Sequence, residues 1–129
     1  MTERSVAERI IRELHAGRVA GDLAAMCRLF ADRGHFRIAG ASADKPISIS
    51  ARDLAGFRPW LSMLVKMFRV TDYRLLALVC EGNRATAHWQ ADIYSKITGV
   101  TVPTELVDLI EFDDTHIVTY SEFFVPRAE

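Results

Sequence analysis

The segment RATAHWQADI, residues 84–93, alternates between two kinds of side chain. Small or apolar residues stand at Ala85, Ala87, Trp89 and Ala91, and polar residues at Thr86, His88, Gln90 and Asp92. A period of two residues is typical of a β-strand with one face towards a core. The segment therefore predicts a long strand over residues 84–97 with its small and apolar side facing inwards.

Strand-like patterns also surround this segment. Residues 73–80, 104–112 and 116–125 predict further strands separated by turns, and two short extended pieces flank a loop over residues 40–46. Three helices are predicted before residue 69. Ser5 and Glu8 form a capping-box pattern before the first, Asp22 caps the second, and Ser50 with Asp53 opens the third, where Pro59 predicts a kink or restart. This order predicts an α+β fold with about three helices packed on one face of a curved antiparallel sheet.

The composition fits one folded domain over residues 1–129. Half of the residues are apolar and 16 basic side chains balance 17 acidic ones, so a disordered chain is excluded. Nucleic-acid binding needs an excess of positive charge, and a membrane span needs about 18 apolar residues in a row, so neither is expected. The N-terminus lacks an apolar signal region, which predicts a cytoplasmic protein. Cys27 and Cys80 lack metal-ligand spacing and are interpreted as buried apolar residues.

Short segments along nearly the whole chain resemble motifs of the NTF2-like superfamily, in its SnoaL-like and ketosteroid-isomerase-like branch. They are AGDL at 20–23 with LFAD at 29–32, EGNRA at 81–85, FDD at 112–114 with IV at 117–118, and YSEFF at 120–124. The resemblance implies a cone in which the sheet wraps the helices around a mostly apolar pocket, and a homodimer packed through the sheet. The superfamily includes isomerases, cyclases, epoxide hydrolases and non-catalytic binding modules.

Asp108 is the single acid on a strand face that otherwise carries Leu106, Ile110 and Phe112. Burial would raise the pKa of its carboxyl, which would then donate a hydrogen bond as a neutral acid. The resemblance places Asp108 where ketosteroid isomerases carry an oxyanion-hole aspartic acid. The alternative is an acid that pairs with a neighbouring strand or faces solvent.

Glu122 shares a face with Tyr120 on the last strand, and the resemblance implies that this face lines the pocket. Glu122 also stands where epoxide hydrolases of the superfamily carry a catalytic aspartate. Two carboxylates in a dry pocket separate their pKa values, so Asp108 is expected to be the acid and Glu122 the base. The alternative is a rim salt bridge to an arginine such as Arg58 or Arg127.

Other positions depart from the resembling enzymes. Ile38 stands at the isomerase general base and Leu14 near the isomerase tyrosine, while Trp89 and Ala91 replace an arginine and an aspartate of the epoxide hydrolases. A standard ketosteroid isomerase is therefore not expected, and neither known mechanism transfers whole.

Large side chains are predicted to bind the substrate. They are Phe36, Ile38, Trp60, Trp89, Tyr120 and Phe124, and Trp60 and Tyr120 add a polar group to an apolar wall. His88 lies on the polar face and is assigned to a dimer contact, although a register error of one residue would turn it into the pocket as a base. No metal-ligand spacing is found, and no cofactor is expected.

Two hypotheses follow. In the first, the chain binds a small apolar, oxygen-bearing molecule and catalyses cofactor-free proton transfer or water activation of an isomerase, cyclase or hydrolase type. In the second, it is a non-catalytic ligand-binding or dimerisation module, which the missing base at Ile38 favours.

Overall fold

The structure is a computed structural model that describes residues 3–42 and 45–127. In chain order the elements are α1 (Arg4–Ala20), α2 (Leu23–Cys27), β1 (Phe30–Ser42), β2 (Lys45–Asp53), α3 (Leu54–Met67), β3 (Phe68–Glu81), β4 (Arg84–Ser95), β5 (Thr101–Phe112) and β6 (Ile117–Pro126). No described helix is both long enough and apolar enough to span a membrane.

The six strands form one sheet in the order β2-β1-β6-β5-β4-β3. Neighbouring strands are antiparallel except β1 and β6, which run parallel. Helix α1 packs on β3 and β4, and helix α3 packs on β1, β2 and β3. The predicted α+β architecture, with three helices on a curved and unclosed sheet, is confirmed.

The helix boundaries differ in part from the prediction. Helix α1 starts at Arg4, and its cap residue Glu3 makes no side-chain capping bond, so the predicted capping box of Ser5 and Glu8 is wrong. The caps of the other two helices agree with the sequence: Ala25 N donates to Asp22 at 3.1 Å, and Gly56 N donates to Asp53 at 2.7 Å. Helix α3 runs through Pro59 as one element, without the predicted restart.

Strands β1 and β2 form a much longer hairpin than the sequence predicts. The loop predicted over residues 40–46 is strand on both sides, except for residues 43–44, which lie outside the described residues. Gly40 is the reason that the chain can pair here, because a Cβ at this position would lie 2.3 Å from the backbone oxygen of Phe124 on β6. A glycine that would indicate a loop in isolation therefore permits a close approach of two strands.

The core lies between the helices and the inward face of the sheet. Phe30, Phe36, Phe57 and Tyr120 pack with ring centroids 5.1 to 6.4 Å apart. A second, smaller cluster surrounds Trp89. The inward face of β4 carries Ala85, Ala87, Trp89 and Ala91, all buried, as its alternation predicts.

Candidate active site

The two predicted acids occupy adjacent positions on adjacent strands. Asp108 on β5 pairs directly with Glu122 on β6 in the antiparallel register. Their exposed fractions are 0% and 1%. Two carboxyl groups are thus buried side by side in a mostly apolar interior, where an ionised carboxylate is stable only with partners that hydrogen-bond to it.

Asp108 has partners on only one of its two carboxyl oxygens. His15 Nε2 lies 2.7 Å from Oδ2, and the indole N–H of Trp89 donates to the same oxygen at 3.1 Å. Oδ1 is buried and has no hydrogen-bond partner among the described residues. Because both donors converge on Oδ2, a proton carried by this carboxyl belongs on Oδ1.

Tyr73 completes the network on the other side of His15. The Tyr73 hydroxyl lies 2.6 Å from His15 Nδ1. With a neutral imidazole, the hydroxyl donates to Nδ1 and the N–H at Nε2 donates to Asp108, so each bond has one donor and one acceptor. This assignment holds whether or not Oδ1 carries a proton.

Burial raises the pKa of Asp108, and the negative charge of Glu122 raises it further, whereas the bonds from His15 and Trp89 act in the opposite direction. The net direction is upwards, which favours the neutral acid. The pKa of Tyr73 is also raised, by burial first and by the charge of Asp108 second.

Glu122 is surrounded by donors. Arg18 donates from Nη1 to Oε1 at 2.6 Å and from Nη2 to Oε2 at 3.4 Å, and the Tyr120 hydroxyl donates to Oε1 at 2.8 Å. Burial is the largest single effect and lowers the pKa of Arg18, but the charges of Glu122, Tyr120 and Asp108 and the hydrogen bond to Glu122 together outweigh it, so the net shift is upwards. Arg18 therefore stays cationic and forms a buried ion pair with an ionised Glu122.

The arginine that pairs with Glu122 is not one that the sequence suggested. Arg58 and Arg127 are the examples that the alternative salt-bridge interpretation names, and the guanidinium of Arg127 instead lies 3.5 Å from the carboxylate of Asp92. The sequence does carry a signal for Arg18, because Ile11, Leu14, His15 and Arg18 follow the spacing i, i+3, i+4, i+7 of one helix face. The sequence pattern by itself assigns no site role to Arg18 or to His15.

A β-bulge brings Tyr73 into the site. The register of β3 against β4 shifts between Thr71 and Arg74, and Asp72 has φ 51°, a left-handed conformation. Strict alternation from the buried Val70 would turn Asp72 inwards and Tyr73 outwards. The extra residue reverses the alternation, so that Tyr73 reaches His15.

The other predicted site residues are scattered between interior and surface. Phe36, Ile38, Trp89 and Tyr120 are at most 3% exposed, and Phe124 is partly buried. Trp60 is 41% exposed on α3. His88 is partly exposed, with Nε2 3.3 Å from Glu105 on the neighbouring strand.

Two open grooves mark the surface. The first, of about 670 Å³, lies along α1 and α2 between Arg9 and Arg28, and the second, of about 300 Å³, lies at the end of α1 against β3. Neither is lined by Asp108 or Glu122, but Arg18 lines the second. Arg18 also places its guanidinium 5.7 Å from the centre of the Trp89 ring, so it stands between that groove and the acids.

Comparisons with known proteins agree with this fold. A structure from Bacillus subtilis, provisionally assigned as an isomerase, shares 17% identity over 96% of this chain and 89% of that chain, with a TM-score of 0.80. An NTF2-like protein from Burkholderia xenovorans shares 17% identity over 96% of this chain and 92% of that chain, with a TM-score of 0.76. An LEH-like epoxide hydrolase from M. tuberculosis shares 12% identity over 93% of this chain and 83% of that chain, with a TM-score of 0.74.

Identities this low establish the fold alone. The search of curated proteins finds no match. The model of the SnoaL-like domain matches residues 11–120, which is most of the chain. Together with the helices packed on the curved sheet, this match shows that the chain belongs to the SnoaL-like domain family, and the solved structures show an NTF2-like fold.

Proposed function

We propose that this chain is a cofactor-free enzyme in which Asp108 acts as a general acid on a small apolar, oxygen-bearing molecule. One observation carries the proposal: Asp108 Oδ1 is fully buried and unpartnered within the described part of the chain, while Oδ2 accepts two hydrogen bonds. A buried polar atom without a partner costs about 1–3 kcal/mol, which a fold retains most readily where a ligand uses that atom.

The surroundings of Asp108 support an acid that gives up its proton and regains it. Neither groove reaches Oδ1, so a ligand has to enter past Arg18 before its carbonyl, epoxide or hydroxyl oxygen takes the proton from Oδ1. The carboxylate left behind is stabilised at Oδ2 by the N–H groups of His15 and Trp89. When water adds to the ligand or removes its C–H proton, the proton released returns to Asp108 and the cycle closes.

For Glu122 we propose a positioning role in place of the base predicted from the sequence. Its oxygens accept bonds from the Arg18 guanidinium and, at Oε1, from the Tyr120 hydroxyl, so taking up a proton would weaken a buried ion pair. As an ionised neighbour it raises the pKa of Asp108 and keeps that group protonated. Two adjacent carboxyls with different partners thereby take different protonation states.

The proposal is tested with two probes, hydrolysis of cyclohexene oxide and exchange of the α-protons of cyclohexanone in D₂O, both followed by NMR. The expected result is acceleration of at least one reaction by the native protein and a loss of about 100-fold or more in Asp108→Asn. Ser48→Ala, an exposed substitution on edge strand β2, is the matched control and keeps the native rate. Equal rates for native protein and Asp108→Asn would remove Asp108 from the chemistry.

The variant Glu122→Gln separates the two roles of Glu122. If Glu122 is a fixed charge, this variant keeps activity at low pH, and the alkaline decline of the rate moves to lower pH because the pKa of Asp108 falls. If Glu122 is the base, the variant loses turnover at every pH while ligand binding is retained.

A second candidate, a dimerisation module, rests on the outward face of the sheet. Val79, Leu109 and Val125 are 45% to 61% exposed there. Apolar side chains grouped on one sheet face favour association, and we propose a homodimer through this face. This homodimer is compatible with the proposed enzymatic function. A protein that forms the dimer but shows no activity would favour the dimerisation module alone.

A further inference from the structure

The groove of about 300 Å³ beside Arg18 differs in charge from the rest of the molecule. Three cationic side chains line it, namely Arg18, Arg69 and Lys96, and none of its lining residues is acidic. The whole chain carries a formal charge of −1. A cleft lined by charges of one sign concentrates its field, so this groove attracts anions.

Arg69 and Lys96 are available to bind a ligand. Both side chains are exposed, and no carboxylate among residues 3–42 and 45–127 lies within ion-pair distance of either. The charges of Arg69 and Lys96 are therefore not neutralised within the described fold.

The backbone holds these two cations in place. Arg69 lies at the start of β3, where it pairs with Tyr94 of β4. Lys96 follows the end of β4, and its N–H donates to the carbonyl of Met67 at 2.8 Å. Both therefore project from a hairpin end that is fixed to the end of α3, rather than from a free loop.

The remaining wall of the groove is apolar. Val65, Phe68 and Val70 contribute to it, and Val70 is only 4% exposed. A volume of about 300 Å³ is at the small end of the range for ligand sites. An apolar wall beside unpaired cations suits a molecule that carries an anionic group on an apolar body.

We propose that this groove is a binding site for a small carboxylic acid with an apolar or aromatic body. Arg69 and Lys96 bind the carboxylate, and the body lies against Phe68 and Val65. Arg18 forms the inner wall, already paired with Glu122, so that a bound ligand lies next to the buried network. The site goes beyond the proposed acid catalysis and stands whether or not Asp108 is catalytic.

The test measures binding of 3-phenylpropionate and of its neutral amide, 3-phenylpropionamide, by titration of ¹H–¹⁵N NMR spectra. The carboxylate is expected to shift the amide signals of residues 18–21, 68–71 and 96, and to bind about tenfold more tightly than the amide. Its affinity is expected to fall as salt is added, because the ion pairs are partly exposed.

Variants assign the effect to the groove. Arg69→Gln with Lys96→Gln is expected to weaken binding of the carboxylate about tenfold and to leave the amide unchanged. Arg52→Gln with Arg74→Gln makes the same change in net charge at exposed positions outside the groove and keeps native affinity. Asp108→Asn also keeps it, which separates this site from the proposed catalysis.

Three results would overturn the site. They are no saturable binding of 3-phenylpropionate, equal affinity in native protein and in Arg69→Gln with Lys96→Gln, and shifts confined to the groove along α1 and α2. A folded spectrum of the double variant, checked in the same titration, excludes loss of structure as the cause.

Discussion

At the residue scale, the two buried acids of the site, Asp108 and Glu122, differ in the groups that hydrogen-bond to them. One oxygen of Asp108 accepts hydrogen bonds from the N–H groups of His15 and Trp89. Glu122 instead accepts hydrogen bonds from the guanidinium of Arg18. A cation stabilises a carboxylate much more than neutral donors do. Glu122 therefore has a buried guanidinium beside it, whereas burial is the largest effect on Asp108 and raises the pKa of its carboxyl.

This difference predicts the pH dependence of stability. The pKa of Asp108 is raised in the folded state, so folding retains a proton that the unfolded chain loses above about pH 4. The stabilisation is complete below that pH and is lost as pH rises towards the folded-state pKa. Relative to Asp108→Asn, the free energy of unfolding of the native protein should therefore fall with rising pH, as measured by urea unfolding between pH 4 and 8. A difference that grows with pH would contradict the raised pKa.

The Arg18–Glu122 pair gives a second prediction at this scale. Arg18→Met leaves Glu122 buried without its cation and should reduce the free energy of unfolding by about 3–5 kcal/mol. Adding Glu122→Gln to Arg18→Met should recover part of that loss. The exposed pair of Arg84 and Glu111, 3.8 Å apart, is the control, and its coupling energy should stay below about 1 kcal/mol. Purely additive losses in a thermal or urea double-mutant cycle at Arg18 and Glu122 would contradict a tightly paired ion pair.

At the scale of elements, the sequence predicts the sheet better than the site. The alternation in β4, β5 and β6 places Asp108 and Glu122 on the inward face, because period-two patterns report burial directly. His15 and Arg18 are not predicted, because helical spacing places them on the buried face of α1 but does not show that this face meets Asp108 and Glu122. Tyr73 depends on a bulge, a feature of backbone pairing that side-chain alternation does not encode.

The bulge itself is testable at Asp72. Its φ of 51° is tolerated by aspartate and glycine but strained for a β-branched residue. Asp72→Gly should leave stability nearly unchanged, whereas Asp72→Val should lower the free energy of unfolding by about 1–2 kcal/mol. If the bulge positions Tyr73, only Asp72→Val should also perturb the imidazole NMR signals of His15. Equal behaviour of the two variants would show that the left-handed conformation is not required.

At the scale of the whole molecule, the inward and outward faces of the sheet carry different kinds of side chain. Its inward face holds the acids, and its outward face presents Val79, Leu109 and Val125 to solvent. The polar side chains between them, such as His88 and Glu105, form contacts that do not hide this apolar surface. We expect the outward face to be covered by a second copy of the chain.

Leu109→Asp tests that expectation. An acid in the middle of the proposed interface should convert a dimer into a monomer, as measured by light scattering coupled to size-exclusion chromatography. Leu76→Asp changes a residue of similar exposure, 47% against 45%, at the bulge of edge strand β3 and should leave the dimer intact. A native protein that elutes as a monomer at every concentration tested would contradict the interface.

The central claim, that Asp108 is a buried neutral acid, is tested most directly by the ¹³C signal of its carboxyl carbon. Titration of the native protein, with Asp108→Asn used to assign the signal, should show a protonated carboxyl at pH values where ordinary aspartates, with a pKa of about 3.9, are already ionised. Glu122→Gln should move this titration to lower pH. A carboxyl at Asp108 that ionises over the same pH range as ordinary aspartates would contradict the account.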